Sequence, residues 1–180
     1  MSYHKQEYRL VCSPSSEVLQ EVYQLRARVW KLRTEHFPAN LTEWSDNFDA
    51  TSMHFVVCAK DRSPVAAARL TVTDAVEEGP DFDVYRQLNC SLIAKPLGFI
   101  SRLVVSPAHR RIGLAQLLDE ARLRRAQTLG CKTILANTRA GESRVRQLEC
   151  HGFERHYIAK FQVTGPLSNV GTPTVLSLVF

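Results

Sequence analysis

The sequence lacks several features that mark particular classes of protein. No apolar run approaches the roughly 18 residues of a membrane span, and the opening Met1–Glu7 has no apolar stretch typical of a signal peptide. The cysteines are scattered without a CxxC pair (Cys12, Cys58, Cys90, Cys131, Cys150). That spacing argues against a zinc knuckle or redox couple and predicts buried, reduced thiols. We therefore expect a cytoplasmic protein that needs neither a metal nor a membrane.

Repeats, low-complexity tracts and linkers are also absent, as are the GxxxxGK[ST] and GxGxxG nucleotide motifs. The 180 residues are 44% hydrophobic and 23% charged, which excludes a disordered, collagen-like or coiled-coil chain. This length predicts a single domain over residues 1–180. The net charge of +5 fits either an anion site or an ordinary solvated surface.

Hydrophobic periodicity predicts alternating strands and helices, and hence an α/β fold. The predicted strands are Tyr8–Cys12, His54–Ala59, Val65–Thr73, Gly98–Val105, Thr133–Ala136, Glu154–Phe161 and Thr174–Val179. Helices are predicted from Ser15 or Ser16 to Leu32, over Phe82–Leu88, from Leu114 to a Gly130 cap, and over Ser143–His151, with a short helix or turn at Thr42–Asp49. The order strand–helix–strand in the middle predicts a parallel strand pair, whereas the hairpin and the tail predict antiparallel pairs.

The most informative stretch is a strand that runs into a basic turn and then a helix, Ile100–Ala115. Backbone N–H groups at a helix start have no helical partners and favour anions. Gly113 allows close approach of a phosphate, Ala115 keeps the first turn uncrowded, and Arg110 and Arg111 add positive charge. We therefore predict a pyrophosphate site there, whereas Arg122, Arg124 and Arg125 are expected on a solvated helix face.

The pattern Arg110-x-x-Gly113-x-Ala115, with a later Gly152-Phe153, resembles the signature of the GCN5-related N-acetyltransferases (GNAT). The resemblance extends from about Val18 to Phe161. It implies a mixed, mostly antiparallel sheet, flanked by helices and splayed at a central parallel pair. That pair would be Gly98–Val105 and Thr133–Ala136.

This resemblance also implies acetyl-CoA or another acyl-CoA as co-substrate, with direct transfer to an amine. The backbone N–H of Leu103 or Val104 would face the thioester oxygen and stabilise the oxyanion. The residues expected to bind the donor are Leu103, Val104, Val105, Arg110, Arg111, Ile112, Gly113, Leu114 and Ala115.

The first half resembles the acyl-homoserine-lactone synthases, a branch of the same fold. The matching residues, in order and at similar spacings, are Arg26, Trp30, Asp46, Asp49, Arg69 and Arg102. The resemblance implies that they shape the acceptor pocket. Independently of it, a charged residue in a half-buried strand such as Arg69 needs a partner, which predicts an Arg–Asp network ordering the loop before the hairpin. From the residues alone, this network is explained equally well as a purely structural ion cluster or as part of acceptor binding. Phe99 departs from the pattern, since the synthases have a glutamate there.

Proton transfer is less well specified by the sequence. Many GNAT enzymes have a tyrosine that acts as general acid at the position where this chain has Leu148. Candidate bases are Glu43, Asp46 and His54, and His151 is a further candidate for acid–base catalysis. His151 at a helix end is also explained as a partner of the helix dipole, and Cys150 as a nucleophile is a weaker alternative.

Taken together, these patterns predict a CoA-dependent N-acyltransferase acting on a small-molecule amine or amino acid. The alternative within the class is an N-acyl amino acid or acyl-homoserine-lactone-type synthase with a longer acyl donor. The sequence leaves two partners open: acyl carrier protein in place of CoA as the carrier of the acyl group, and a second copy of the chain in a homodimer. Two rivals are a non-catalytic acyl-CoA sensor and a DNA-binding protein that uses residues 126–148 as a helix-turn-helix. No nucleic acid is expected under the favoured prediction.

Overall fold

The computed structural model describes residues 8–88, 93–158, 166 and 172–180. Within these residues the strands are β1 (Arg9–Cys12), β2 (Met53–Cys58), β3 (Pro64–Thr73), β4 (Leu97–Val105), β5 (Thr133–Thr138), β6 (Glu154–His156) and β7 (Thr174–Val179). The helices are α1 (Ser16–Lys31), α2 (Phe82–Tyr85), α3 (Leu114–Thr128) and α4 (Glu142–Cys150), with 3₁₀ turns at Val76–Glu78 and Pro107–His109. Elements therefore form where the hydrophobic periodicity predicts them.

The strands form one mixed sheet in the order β1-β2-β3-β4-β5-β7-β6. Strands β4 and β5 are parallel and pair from Leu97↔Thr133 to Ile100↔Ala136. The pairs β1–β2, β2–β3, β5–β7 and β6–β7 are antiparallel. This architecture confirms the predicted α/β fold, a mostly antiparallel sheet with a parallel pair inside it.

Several predicted boundaries differ from the observed ones. Helix α2 ends at Tyr85 rather than at Leu88, and β6 ends at His156 rather than at Phe161. Residues 159–161 of that predicted strand lie outside the described residues. Strand β5 continues to Thr138, two residues beyond its predicted end.

The chain divides into two compact units. The first comprises the described residues up to Leu70 together with Arg102–Arg122, and the second comprises those in Thr71–Ser101 and Leu123–Phe180. The apolar face of α1 fills the core of the first unit, a cluster of Val22, Leu25, Val29, Val56, Cys58, Ala67 and Val104. The core of the second unit is a cluster of Val76, Val84, Tyr85, Leu97, Phe99, Leu135 and Val175. Each unit thus has an apolar core of its own.

Two sequence predictions are wrong. Arg122 is not solvated: it is fully buried and pairs with the buried Asp119, whereas Arg124 and Arg125 are exposed as predicted. The i, i+3 spacing of Asp119 and Arg122 allows this pairing on one helical face. Among the described cysteines, Cys12 and Cys150 are exposed, although Cys58 and Cys131 are buried, and all four are free thiols.

The structure excludes the rival helix-turn-helix interpretation of residues 126–148, in agreement with the strand predicted at Thr133–Ala136. The segment between α3 and α4 contains β5, which pairs with both β4 and β7. A strand in that position leaves no helix-turn-helix. In the part of the chain that the structure describes, no helix is long and apolar enough to cross a membrane.

Candidate active site

The predicted phosphate turn lies between β4 and α3, where Arg110–Gly113 is exposed. Two of its residues have left-handed backbone, Arg111 with φ 64° and Gly113 with φ 85°. The first helical hydrogen bond runs from the N–H of Leu117 to the carbonyl of Gly113, at 3.0 Å. The N–H groups that precede this bond point out of the helix start, where a helix attracts anions.

Space at this turn is also available. A Cβ atom placed on Gly113 would meet no other atom within 4 Å. Arg110 anchors its side chain through an Nε–H bond to the carbonyl of Val105 at 3.3 Å. The turn therefore combines open backbone, positive charge and a helix start, which together suit a phosphate or pyrophosphate group.

Five charged residues of the first unit form a second feature, which we term the Arg–Asp cluster: Arg26, Asp46, Asp49, Arg69 and Arg102. Arg26 Nη1 donates to both oxygens of Asp49 at 2.9 Å. Arg69 Nη1 donates to Asp49 Oδ1 at 2.9 Å and to Asp46 Oδ1 at 2.5 Å. Arg102 donates to Asp46 Oδ2 from Nε at 3.0 Å and from Nη2 at 2.5 Å. The predicted Arg–Asp network is confirmed.

The two aspartates also shape the loop that carries them. The backbone N–H of Asp46 donates to Asp49 Oδ2 at 2.9 Å, and that of Phe48 donates to Asp46 Oδ1 at 3.0 Å. The N–H of Asp49 returns to the carbonyl of Asp46 at 3.0 Å. Side chains of Asp bond readily to nearby backbone in this way. The segment is accordingly a turn, one of the two predicted forms, and it presents both carboxylates to the arginines.

Aromatic rings surround the cluster. The ring of Trp44 lies 4.7 Å from the guanidinium carbon of Arg102 and 5.9 Å from the ring of Trp30. The ring of Phe48 lies 5.9 Å from the guanidinium carbon of Arg69. The sequence analysis does not identify Trp44. Its position two residues before Asp46, in a chain with only two tryptophans, is a signal that could have indicated it. These rings keep water from the guanidinium groups and contribute cation–π attraction.

The electrostatics of the cluster fix its protonation. Burial alone would raise the pKa of Asp46, but the hydrogen bond from Arg69 and the charges of Arg102 and Arg69 outweigh it and lower that pKa to about 2. Burial lowers the pKa of His54, whose Nε2 lies 2.9 Å from the carbonyl oxygen of Asp49. Because a carbonyl only accepts, His54 carries its proton on Nε2. Asp46 is therefore a stable anion and a weak proton acceptor.

Strand β4 has an unusual backbone at Arg102, where φ is 54°. This residue lies inside a nine-residue strand and is not glycine. Left-handed backbone is uncommon for any other residue type. Leu103 follows directly and is half-buried, so the predicted oxyanion donor adjoins the irregularity.

The family model of the acetyltransferase (GNAT) family matches residues 19–153. The chain belongs to the GNAT family. Membership gives the class of enzyme and leaves the acceptor and the acyl group open. No curated protein is close enough in sequence to count as a match.

Solved structures share the GNAT fold. An N-acetyltransferase from Staphylococcus aureus Mu50 aligns with a TM-score of 0.67 and 13% identity, over 97% of this chain and 99% of that one. The AHL synthase LasI aligns with a TM-score of 0.65 and 14% identity, over 94% and 88%. A phosphinothricin acetyltransferase from Sinorhizobium meliloti, solved with AcCoA, gives a TM-score of 0.64 and 14% identity, over 97% and 89%. At these identities the likeness concerns the fold alone.

Two residues that depart from the expected patterns are core residues in this GNAT chain. Leu148 on α4 is buried, with 1% of its surface exposed. Phe99 on β4 is fully buried, and its ring lies 5.4 Å from that of Tyr85. Neither position thus presents a titratable group.

The remaining acid–base candidates lie in different surroundings. Glu43 is half-buried, and its Oε1 accepts a hydrogen bond from Gln24 Nε2 at 3.3 Å. His151 follows the end of α4 in the second unit, where its backbone N–H donates to the carbonyl of Leu148 at 2.9 Å. Among the described residues, no group of three His, Cys, Asp or Glu side chains is placed to hold a metal ion.

Proposed function

We propose that this GNAT protein transfers an acyl group from an acyl-CoA to the amine of a small molecule or amino acid. The observation that carries the proposal is the exposed turn Arg110–Gly113, which opens α3 with two left-handed residues and open space beside Gly113. Backbone donors, arginine charge and room for a phosphate occur together there. The AcCoA complex of the structurally similar phosphinothricin acetyltransferase is consistent with an acyl-CoA donor.

Acyl-CoA enters this scheme as a substrate. The pyrophosphate would be held by backbone N–H groups of the turn and of the start of α3, those of Arg111–Gly113, Leu114 and Ala115. The side chains of Arg110 and Arg111 would neutralise its charge. Strand β4, through the backbone of Leu103–Val105, would align the pantetheine arm. This division assigns the Arg–Asp cluster to the acceptor side of the site.

The reaction is a direct displacement at the thioester. The neutral amine nitrogen attacks the carbonyl carbon, and the carbonyl oxygen becomes an oxyanion that the N–H of Leu103 stabilises. The C–S bond then breaks, CoA leaves as a thiolate, and the new C–N bond becomes an amide. The proton lost from the nitrogen passes to a base, directly or through water.

The choice of base rests on the lowered pKa of Asp46 and on the hydrogen bonds of Glu43. A carboxylate with a pKa of about 2, such as Asp46, holds a proton poorly at neutral pH. Glu43 lies three residues earlier on the same loop and accepts only one described hydrogen bond, from Gln24. We therefore place Glu43 before Asp46 and His151 as the general base.

The acceptor is proposed to bind beside the Arg–Asp cluster, with Trp30 and Trp44 contributing an aromatic wall. The assembled cluster also favours a second candidate function, an acyl-homoserine-lactone-type synthase with a longer acyl donor. Its support is the gathering of the five charged residues in one network together with the fold likeness to LasI. The two functions differ in acyl length and acceptor and use the same site.

Isothermal titration of CoA tests the donor site. Gly113→Val should weaken CoA binding at least tenfold, about 1.4 kcal/mol, because the branched side chain fills the approach to the turn. Gly130→Val is the matched control, because Gly130 also has left-handed backbone, with φ 75°, and nothing within 4 Å of a built Cβ. Equal CoA affinity in the two variants would contradict the phosphate assignment.

A screen for free-thiol release separates the two candidate functions. Acetyl-CoA and acyl-CoAs of increasing length are offered with simple amines and amino acids. Turnover with acetyl-CoA and an amine or amino acid supports the first function. Turnover only with a long acyl donor and an amino acid supports the second.

A further inference from the structure

We propose that Asp46 and Arg102 form a clamp that holds a left-handed turn in β4 and thereby aims the N–H of Leu103, an inference that rests on the proposed function. In this role Asp46 is a positioning residue, which acts on the reaction through Arg102 and the backbone of β4. The starting observation is the φ of 54° at Arg102. Outside glycine, such backbone is strained and persists only where surrounding contacts hold it.

The local sequence does not itself favour this conformation. Arg102 lies in Ser101-Arg102-Leu103-Val104-Val105, which has no glycine or asparagine and ends in two β-branched residues. Such a sequence prefers regular extended backbone. The left-handed residue therefore depends on contacts made by its side chain.

Those contacts are unusually well fixed. Arg102 places Nε and Nη2 on one oxygen of Asp46, at 3.0 and 2.5 Å, and its guanidinium lies against the ring of Trp44. Asp46 cannot follow Arg102 freely, because Arg69 Nη1 holds its other oxygen at 2.5 Å. The Arg102 side chain is only 15% exposed, so water screens the ion pair weakly. The clamp thus has a fixed end at Asp46 and a strained end at β4.

A left-handed residue turns the peptide plane that follows it, as in a β-bulge. That plane carries the N–H of Leu103. Burial changes at the same place, from a fully buried run over 97–100 to half-buried residues over 101–103. Removing the clamp lets β4 relax towards regular extended backbone and moves the oxyanion donor away from the thioester.

A graded series at one position tests the clamp, because all its members remove the ion pair. Arg102→Gly, Arg102→Asn, Arg102→Ala and Arg102→Val differ in their tolerance of left-handed backbone, in that descending order. We expect kcat to fall in the same order, with Arg102→Gly at least about fivefold above Arg102→Ala. If residue 102 instead required regular extended backbone, the order of kcat would be reversed, with Arg102→Val the most active variant and Arg102→Gly the least active. Equal kcat values across the series, or the strand order, would overturn the proposal.

Asp46→Asn tests the fixed end. Its kcat should fall at least about tenfold, with the acyl-CoA KM unchanged, because the loss concerns an interaction made in the transition state. Asp83→Asn is the control, since Asp83 forms an exposed ion pair with Arg86 in the second unit. Wild-type turnover by a folded Asp46→Asn variant would also overturn the proposal.

Stability gives a readout that needs no substrate. The urea midpoints of the four Arg102 variants should follow the same order as kcat, from Arg102→Gly to Arg102→Val. If the wild type releases no thiol from any acyl-CoA, the proposed function fails, yet the midpoints still decide whether residue 102 requires left-handed backbone. If Arg102→Val does not fold, the comparison of Arg102→Gly with Arg102→Ala decides alone.

Discussion

Replacing Arg69 by alanine is the most severe single change that the Arg–Asp cluster offers. The Arg69 side chain is fully buried and bonds to both aspartates of the loop. Its removal leaves Asp49, with 3% of its side chain exposed, with Arg26 as its remaining arginine partner, and leaves Asp46 with Arg102. The substitution therefore weakens two carboxylates at once and leaves a cavity beside Phe48.

The expected magnitude follows from that geometry. Removing one partner of a buried ion pair costs about 3–5 kcal/mol. We expect the lower end, about 3 kcal/mol, because each aspartate keeps one arginine, at 2.9 Å for Asp49 and 2.5 Å for Asp46. In a protein of this size that loss lowers Tm by about 6–12 °C. It is also a large fraction of the roughly 5–15 kcal/mol that stabilises a typical domain.

Urea unfolding followed by tryptophan fluorescence measures the loss. The only two tryptophans, Trp30 and Trp44, pack against one another beside the cluster, so their emission reports on it directly. Arg86→Ala is the control: Arg86 pairs with Asp83 at 3.5 Å, but the two side chains are 59% and 49% exposed. Its expected cost is below about 1 kcal/mol.

The reasoning fails if Arg69→Ala costs no more than Arg86→Ala. The buried contacts would then make no net contribution to stability, and the cluster would be dispensable for the fold of the loop. Loss of turnover together with unchanged stability would instead point to a direct contact between Arg69 and the acceptor.

Two further predictions concern buried charge. The pKa of Asp46 is about 2 in the folded protein against an ordinary 3.8. The ionised carboxylate therefore stabilises the fold by about 2 kcal/mol above about pH 4, and this contribution is lost as the pH falls towards 2. Urea midpoints measured across this range should fall less steeply in Asp46→Asn than in the wild type. Arg122→Met should cost about 3–5 kcal/mol because it removes the guanidinium that pairs with the fully buried Asp119. Adding Asp119→Leu should recover most of that loss, and a double variant less stable than Arg122→Met would contradict the desolvation argument.

The sequence predicts the fold well because the elements depend on local pattern. The apolar positions of α1 recur at helical spacing, and Val22, Leu25 and Val29 are buried accordingly. Short elements are harder, since α2 and β6 contain only four and three residues and their ends depend on tertiary packing. Arg122 shows where local pattern misleads. Its charge predicts an exposed side chain, yet Asp119, one helical turn away, pairs with it and allows it to be buried.

The candidate site divides in the same way. The predicted phosphate turn is a local arrangement of a strand, basic residues, glycine and a helix, so its sequence contains most of its geometry. The need of Arg69 for a partner is also visible in its strand. The left-handed backbone at Arg102 is not visible in the sequence, because no glycine or asparagine marks the position. The ion pair proposed to hold it involves Asp46, 56 residues away along the chain. Only the folded chain brings those two residues together.

Arg69 also joins two structures that are distant in sequence. Its carbonyl accepts a hydrogen bond from Arg122 Nη1 of α3 at 3.3 Å, while its guanidinium holds the loop of Asp46 and Asp49. Helix α3 begins at the phosphate turn, so a substitution that shifts this helix also displaces the strand that carries Arg69. Under the proposed function, attempts to re-engineer the donor preference through α3 are therefore expected to alter acceptor selectivity as well. Laboratory evolution of this enzyme should select compensating changes in pairs, one on α3 and one on the loop of Asp46.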